Sequence, residues 1–136
     1  MHKTLENVLV VMTQGPLDAA PARPNDGITG AWIVFEGIVR MQEDGLDLCA
    51  LQYTAYEPMA QRVLTEIAAD VLERHGLQRI VVEHARGEAP VGSCSFRLSI
   101  ASAHRKAAIQ AMDQFIDRMK QSVPIWKEPV WAAAPA

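Results

Sequence analysis

Cysteine is scarce in this sequence. Its 136 residues include 2 cysteines, Cys49 and Cys94, and each lies within a run of strand-forming residues. These thiols and the 4 histidines are scattered along the chain in no zinc-ligand spacing, so we predict no metal site. A disulfide is not expected in a cytosolic protein, and no paired-cysteine redox motif is present. We therefore expect both cysteines to behave as small buried hydrophobic residues.

Long apolar runs are missing as well. No stretch approaches the roughly 18 consecutive apolar residues of a membrane span, and the N-terminal segment MHKTLENVLVVM lacks the small-residue cleavage site of a signal peptide. We therefore expect a cytoplasmic protein. Basic residues are in the minority, 13 against 16 acidic ones, and the net charge of -3 argues against a nucleic-acid-binding protein, because such domains are usually basic.

Several catalytic sequence motifs are absent. The chain contains no glycine-rich phosphate loop and no strand-turn-helix segment that presents a nucleophilic serine. Ser102 and His104 are close in sequence, but proximity at the start of a helix does not pair a nucleophile with a base. The sequence therefore does not favour a hydrolase. With 49% hydrophobic and 21% charged residues, it is typical of a globular domain.

The sequence does contain a regular succession of strand and helix patterns. Branched and aromatic residues predict strands, and apolar residues that recur every three or four positions predict helices. We predict an α+β protein, because strands are followed by helices that cover one side of a sheet. The predicted strands cover 4–12, 31–39, 46–56, 78–84 and 93–101, a helix covers 56–76, and 13–30 form a loop rich in Pro, Gly and Asp.

The strand over 93–101 alternates between apolar and polar side chains, as a strand with one buried face does. The preceding strand ends at His84, and a strand histidine is more commonly a hydrogen-bonded structural residue than a catalyst. Both interpretations of His84 stay open here. The predicted inward residues of 93–101 are Cys94, Phe96, Leu98 and Ile100, and the predicted outward residues are Ser93, Ser95, Arg97 and Ser99.

The stretch 102–127 predicts the last helix and a cationic tail. Ser102 is a good N-cap, and apolar residues follow at helical spacing until Pro124 forces the chain out of the helix. Basic residues occupy positions 104–106, in the first turn, where they oppose the helix dipole. An anion bound among them would offset that effect. The pattern therefore indicates a phosphate or carboxylate ligand.

The two cationic ends of this helix are far apart. His104 and Lys120 are separated by 16 positions, which corresponds to roughly 24 Å along a helix. A small substrate cannot touch both residues within one chain. Either one end is ordinary solvated surface, or the start of one helix meets the end of its counterpart in a two-fold dimer.

Three segments together resemble a known family. The stretch from SAHR to VPIWK, with a helix between them that ends in a lysine, is similar to the closing half of the large, catalytic subunit of molybdopterin synthase. GAWIVFEGIVR and ALQYTAYEPMA resemble other segments of that family in the same order, so the likeness covers about 28–128. It implies an α/β-hammerhead-type fold with a mixed or antiparallel sheet, two main helices and a small β-subdomain. We expect a single domain over 1–136, with 13–27 as a loop and 132–136 as a frayed tail.

The resemblance also implies an activity. Members of that family add two sulfur atoms to cyclic pyranopterin monophosphate and so form the molybdopterin dithiolene. The sulfur arrives as a thiocarboxylate on the C-terminal glycine of a small ubiquitin-like subunit, so no cofactor and no metal are expected. The implied assembly is a heterotetramer, in which a homodimer of the large subunit carries one small subunit at each end.

The family's site residues transfer to this chain by matching segments. They imply that Lys120 and Lys127 are the catalytic pair, and that Trp126 is a packing anchor for Lys127. The implied substrate-binding residues are Ile38, Val39 and Arg40 on one protomer, His104 and Arg105 from the second protomer, and Glu128 in place of a glutamate that the family has one position later.

Two departures from the family pattern leave an alternative open. Ala85 stands where the family has arginine, and Pro129 stands where it has glutamate. The alternative is a non-catalytic paralogue that binds the tail of a ubiquitin-like partner without turnover. Without the resemblance, the cations could equally be solvated surface groups, and Arg40 a charge beside a turn.

Overall fold

The computed structural model describes residues 6–132, in which seven strands and two helices form an α+β protein, as predicted. Neither helix in this part of the chain combines the length and apolar character needed to cross a membrane. The elements in chain order are β1 (Val8–Gln14), β2 (Ala31–Ile38), β3 (Gln42–Glu43), β4 (Leu46–Ala55), α1 (Met59–His75), β5 (Arg79–Pro90), β6 (Cys94–Ser102), α2 (Arg105–Ser122) and β7 (Ile125–Trp131).

Strand β5 connects the two parts of a mixed seven-stranded sheet. Its first half pairs with β1 in parallel and with β6 antiparallel, and β6 in turn pairs with β2. Its second half pairs with β4, which also pairs with β7 and with the short strand β3. The predicted strand over 78–84 was therefore too short, because β5 continues through the segment 85–90 that lacks strong strand formers.

The main core lies between the first part of the sheet and both helices. It is built from the apolar stripes of α1 and α2 and from the inward residues of β5 and β6. Gly76 ends α1 in the left-handed conformation, with φ 61°, as its position predicts. The largest fully buried members of this core include Leu64, Ile80, Leu98, Ile100 and Phe115.

A second, smaller core lies under the hairpin of β3 and β4. It contains Val39, Leu48, Leu51 and Ala89. The hairpin turns at Asp44 and Gly45, whose φ angles are 52° and 77°. An Asp-Gly pair with two positive φ angles matches the twist of the flanking strands. This part of the molecule is the small β-subdomain that the resemblance implied.

The outward face of β6 is buried, contrary to the prediction. Ser95, Arg97 and Ser99 are 5%, 3% and 0% exposed. The loop before β2 crosses this face, since the backbone carbonyl of Asp18 accepts a hydrogen bond of 2.7 Å from Arg97. The alternation of apolar and polar residues identified the two faces of β6 correctly. It could not show that a loop distant in the sequence covers the polar face.

Two element boundaries also differ from the prediction. The first strand is Val8–Gln14 rather than 4–12, and residues 4 and 5 lie outside the described part of the chain. Helix α2 begins at Arg105, so that His104 rather than Ser102 occupies the N-cap position. Ser102 ends β6 and accepts a hydrogen bond of 3.4 Å from the His104 backbone N–H. The hydroxyl therefore supports the turn before the helix, not the helix itself.

Candidate active site

A cavity of about 350 Å³ lies where the end of β2, the last turn of α2 and the start of β7 meet β4, β5 and β6. This volume falls within the range of small-molecule sites in proteins. The cavity lies at the junction of the two parts of the sheet, because its walls include residues of both hydrophobic cores, such as Phe96 and Leu51. Its position follows from the long strand β5, which links those parts.

Three cationic side chains from separate elements line this cavity. Arg40 follows β2, Lys120 lies in the last turn of α2, and Lys127 lies on β7. Lys127 Nζ lies 3.9 Å from Glu43 Oε1. Within residues 6–132, Arg40 and Lys120 form no ion pair with a protein carboxylate. The structure thus brings the predicted catalytic pair and Arg40 into one cavity with an excess of positive charge.

Ile38 and Val39, the other implied substrate-binding residues beside Arg40, are placed differently from each other. Ile38 lines the cavity, with its side chain 49% exposed. Val39 points away into the small core and is 2% exposed. Its N–H donates to Ser93 and its carbonyl accepts from Gly92, so its backbone groups are already occupied. The implied role of Val39 in substrate binding is therefore not supported by its side chain, which is buried, or by its backbone groups, which are paired.

His104 and Arg105 are exposed at the opposite end of α2 and do not line the cavity. Because α2 spans 18 residues, roughly 27 Å of helix separates its ends. The turn before the helix is held by Gly30, whose N–H donates to Ser102 and which has no room for a Cβ beside the Ala103 carbonyl. One chain therefore cannot bring both cationic groups to one small ligand.

Glu128 and Trp126 do not take the positions that were predicted for them. Both neighbours of Lys127 on β7 are exposed. Glu128 does not line the cavity. Trp126 does line it and remains 57% exposed, so it forms a wall of the cavity rather than a packing anchor.

Polar residues that the sequence analysis did not assign to the site also line the cavity. The Tyr53 hydroxyl donates a hydrogen bond of 2.9 Å to Ser95 Oγ. Burial raises the pKa of Tyr53, so the phenol remains neutral at ordinary pH. The only sequence signal for Tyr53 was its alternation with Leu51 on β4, which places both on one face. The approach of Ser95 depends on the sheet order and could not be predicted.

His84 is the hydrogen-bonded strand residue of the first interpretation that the sequence left open. It is a buried strand residue, 6% exposed, whose Nδ1 lies 2.7 Å from the Ala85 carbonyl oxygen. It also lines the cavity. Burial lowers the pKa of His84, which favours the neutral ring. Ala85, which follows His84 on β5, is itself fully buried.

Both cysteines lie on strands, as predicted, but they are not both buried. Cys49 is exposed on β4, which corrects the prediction, and Cys94 is half-buried on β6. Burial raises the pKa of the Cys94 thiol, so the thiolate is disfavoured. In the described residues, no group of three or more His, Cys, Asp or Glu side chains is placed to share a metal ion.

Comparisons with known proteins identify the family. The family model described as MoaE protein matches residues 12–122. A molybdopterin synthase catalytic subunit from Nostoc sp. is 40% identical over 116 residues, which are 85% of this chain and 70% of the relative. The crystal structure of molybdopterin synthase from Staphylococcus aureus superimposes with a TM-score of 0.81 at 30% identity and covers 93% of this chain and 92% of that chain.

A further solved structure contains two kinds of subunit. It is a protein-protein complex of subunits 1 and 2 of the molybdopterin-converting factor from Helicobacter pylori, with a TM-score of 0.70 and 25% identity. The match covers 90% of this chain and 89% of that chain. Together with the family model and the relatives, these matches establish that the chain belongs to the MoaE protein family, whose curated relatives here are molybdopterin synthase catalytic subunits.

Proposed function

We propose that this protein is the catalytic subunit of a molybdopterin synthase. It transfers sulfur from the thiocarboxylated C-terminus of a small ubiquitin-like subunit to cyclic pyranopterin monophosphate, and the product is the molybdopterin dithiolene. One observation carries the proposal: Arg40, Lys120 and Lys127 converge from three separate segments of the chain on one cavity. Both substrates are anions, and a cavity with this charge suits them.

The three cations have different chemical abilities. The planar guanidinium of Arg40 suits bidentate contacts with phosphate, whereas the lysines act as point charges. Lysines also serve as acids or bases in enzyme active sites. In the proposed reaction Lys120 and Lys127 assist attack by the thiocarboxylate and loss of phosphate or water, and Lys120 is the candidate for a transient covalent link. Ile38 and Trp126 supply apolar walls.

The proposed active site is shared between two copies of the chain. His104 and Arg105 are too far along α2 to reach the cavity of their own chain. In a two-fold dimer they reach the cavity of the partner copy, where they bind the phosphate or the pterin. The exposure of both residues at the N-terminal end of a helix supports an anion-binding role.

The proposed partner is a small subunit whose C-terminal tail enters the cavity. The complex of two subunits in the Helicobacter pylori relative supports such a partner. The sulfur arrives on that tail, so the reaction needs neither of this chain's cysteines and no resident cofactor. With one small subunit on each end of the homodimer, the assembly is a heterotetramer, and we place it in the cytoplasm.

Reconstitution tests the proposal. Purified protein is mixed with a thiocarboxylated small subunit and cyclic pyranopterin monophosphate, and the dithiolene pterin is detected after oxidation to its fluorescent form. We expect product from the wild-type chain and a loss of at least about a hundredfold in Lys120→Ala. Arg62→Ala, which removes an exposed positive charge from α1 outside the cavity, should retain activity.

The outcomes separate the proposal from the non-catalytic alternative. A stable complex with the small subunit but no product from the wild-type chain would support a paralogue that only binds the tail. Absence of both product and complex would overturn the proposed partner as well. Equal activities of Lys120→Ala and Arg62→Ala would place the chemistry outside this cavity.

A further inference from the structure

The imidazole of His84 is held in a fixed orientation at the cavity wall. Its ring contacts Tyr53 edge-on, with centroids 5.3 Å apart and an interplanar angle of 80°. On another side it contacts Phe96, with centroids 5.7 Å apart. Since the side chain is only 6% exposed, the ring has little freedom to rotate.

The hydrogen-bond partner of Nδ1 determines the tautomer. Nδ1 lies 2.7 Å from the Ala85 carbonyl oxygen, which can only accept a hydrogen bond, so Nδ1 carries the proton. Burial lowers the pKa of His84 and keeps the ring neutral, and a neutral imidazole has a single N–H. Nε2 is therefore a hydrogen-bond acceptor.

Nε2 has no hydrogen-bond partner in the part of the chain that the structure describes. It is not sealed inside the protein either, because the sealed side-chain atoms without a partner in that part are Gln78 Oε1 and Ser99 Oγ. His84 lines the cavity, so its accessible acceptor faces that space. An accessible acceptor that no protein group uses is available to a ligand with a hydrogen-bond donor.

The other walls indicate what kind of ligand carries this donor. The chain has 3 tryptophans, 2 tyrosines and 3 phenylalanines, and Phe35, Tyr53, Phe96 and Trp126 line this one cavity. Half of the aromatic side chains of the chain thus line a single cavity of about 350 Å³. Aromatic faces pack well against a flat ring. A planar nitrogen heterocycle can pack against these aromatic side chains and also donate a hydrogen bond to His84 Nε2.

We propose that His84 Nε2 accepts a hydrogen bond from a ring N–H or amino group of the pterin, and so determines which heterocycle binds. This inference rests on the proposed function, because it assigns the heterocyclic part of that substrate to the aromatic side of the cavity. Arg40, Lys120 and Lys127 take the anionic part. Tyr53 is a positioning residue, since it acts through the ring of His84. An extended peptide tail also carries N–H groups, but it offers no flat ring to the aromatic walls.

Two substitutions separate the two nitrogens of the ring. In His84→Asn the amide nitrogen takes the place of Nδ1 and still donates to Ala85, but nothing replaces Nε2. In His84→Gln the amide oxygen takes the place of Nε2 as an acceptor, and the bond to Ala85 is lost. The two variants therefore distinguish an acceptor in the cavity from a structural bond within β5.

The probe is a reduced pterin without phosphate, 6-methyltetrahydropterin, titrated into each protein by calorimetry. We expect binding to weaken about tenfold in His84→Asn and less than threefold in His84→Gln. Equal weakening in both variants, or in neither, would overturn the proposal, and so would failure of the wild-type chain to bind the probe. A synthetic peptide that ends in Gly-Gly is titrated in parallel. Loss of peptide binding but not pterin binding in His84→Asn would assign the acceptor to the tail and overturn the proposal.

A measurement on the wild-type chain covers the case in which a variant does not fold. The nitrogen-15 resonance of His84 Nε2 should move when the pterin is added, because a hydrogen bond to the lone pair changes its shielding. An unchanged resonance at saturation would overturn the proposal. Neither experiment needs turnover, so failure of the reconstituted reaction and failure of this inference are distinguishable.

Discussion

Tyr53 on β4 lies directly opposite Lys127 on β7 in the antiparallel pairing of these strands. Directly opposed side chains leave the sheet on the same face, and here that face forms part of the cavity. The Tyr53 hydroxyl donates a hydrogen bond to Ser95, and Lys127 forms an ion pair with Glu43. The cavity therefore contains a neutral hydrogen bond between β4 and β6 and, beside it, an ion pair between β7 and β3.

The hydrogen bond of Tyr53 is expected to stabilise the fold. Tyr53→Phe removes the donor to Ser95, which is 5% exposed, and should lower the free energy of unfolding by about 1 kcal/mol. Tyr56→Phe is the matched control, because Tyr56 is 59% exposed. Urea denaturation of both variants measures the difference. Equal stabilities would show that the bond to Ser95 contributes nothing.

The carboxylate of Glu43 is expected to weaken anion binding. It lines the cavity with the three cations, and its removal in Glu43→Gln takes away a repulsive charge near Lys127. Two like unit charges about 4 Å apart in water repel each other by about 1 kcal/mol. Without the Glu43 carboxylate, pyrophosphate should therefore bind a few times more tightly. The gain should shrink as salt is added.

Calorimetric titration with pyrophosphate at low and high salt checks this prediction. Glu66→Gln removes an exposed carboxylate from α1, outside the cavity, and is the control for net charge. Unchanged or weaker binding by Glu43→Gln would mean that holding Lys127 in place matters more than the repulsion.

The buried guanidinium of Arg97 is expected to be a large contributor to stability. It donates to Glu36 at 2.7 Å and to Glu83 at 3.1 Å and 3.2 Å, and its side chain is 4% exposed. Its loss removes hydrogen bonds to two carboxylates, each worth roughly 1.5–3 kcal/mol before screening by solvent, and the packing of a buried side chain. Arg97→Ala should therefore lower the free energy of unfolding by about 3 kcal/mol in urea denaturation.

Arg79→Ala is the control, because Arg79 is exposed on the neighbouring strand β5 and its loss should change stability by less than about 0.5 kcal/mol. Similar effects of the two substitutions would contradict the role of the buried contacts.

His84 is expected to make stability depend on pH. Its pKa is lowered in the folded chain below the ordinary 6.5, chiefly by burial. Between the lowered value and 6.5 the unfolded chain binds a proton that the folded chain does not. The free energy of unfolding should therefore fall as the pH drops below about 6.5, by up to about 1.4 kcal/mol per pH unit.

Denaturation of the wild-type chain and of His84→Gln between pH 7 and pH 5 measures this slope. The variant lacks the titrating ring, so its slope should be smaller, while Tyr53 stays neutral throughout because its pKa is raised. Identical slopes in both proteins would contradict the assignment.

A site shared between two copies predicts complementation. Lys120→Ala and Arg105→Ala chains should each be inactive alone, because every site in either homodimer lacks one of the two residues. After subunit exchange, a mixed dimer contains one site that lacks both residues and one intact site. Up to about a quarter of the wild-type activity should return, since half of the randomly mixed dimers have one intact site of two.

The complementation assay is the reconstituted reaction, with exchange verified by mass spectrometry of the mixed dimers. Recovery of activity after proven exchange supports the shared site. If exchange is complete and no activity returns, His104 and Arg105 do not act in the cavity of a partner copy.

Much of the fold was determined by local patterns that the sequence carries openly. The apolar spacing of α1 and α2 and the stop at Gly76 predicted the helices within a few residues. Strand alternation identified Phe96, Leu98 and Ile100 as core residues. These features depend on residues close together in the chain, so a single sequence is enough to identify them.

The convergence of the site depended on the tertiary structure. Separation along α2 predicted correctly that His104 and Lys120 cannot share a small ligand within one chain, and the resemblance supplied Arg40, Lys120 and Lys127. The sequence could not show that the Val39 side chain packs in the small core or that Glu128 lies outside the cavity. Those outcomes depend on the register shift after Gly37 and on pairing between distant segments.

The sequence by itself thus determined both helices, five of the seven strands with shifted ends, the charge and the family of this protein. Only the tertiary structure decided that Tyr53, His84 and Ser95 meet the cations in one cavity. These residues come from three strands whose order in the sheet is set by pairing between segments that are distant in the sequence. For the same reason the accessible nitrogen of His84 became visible only once β4, β5 and β6 were placed side by side.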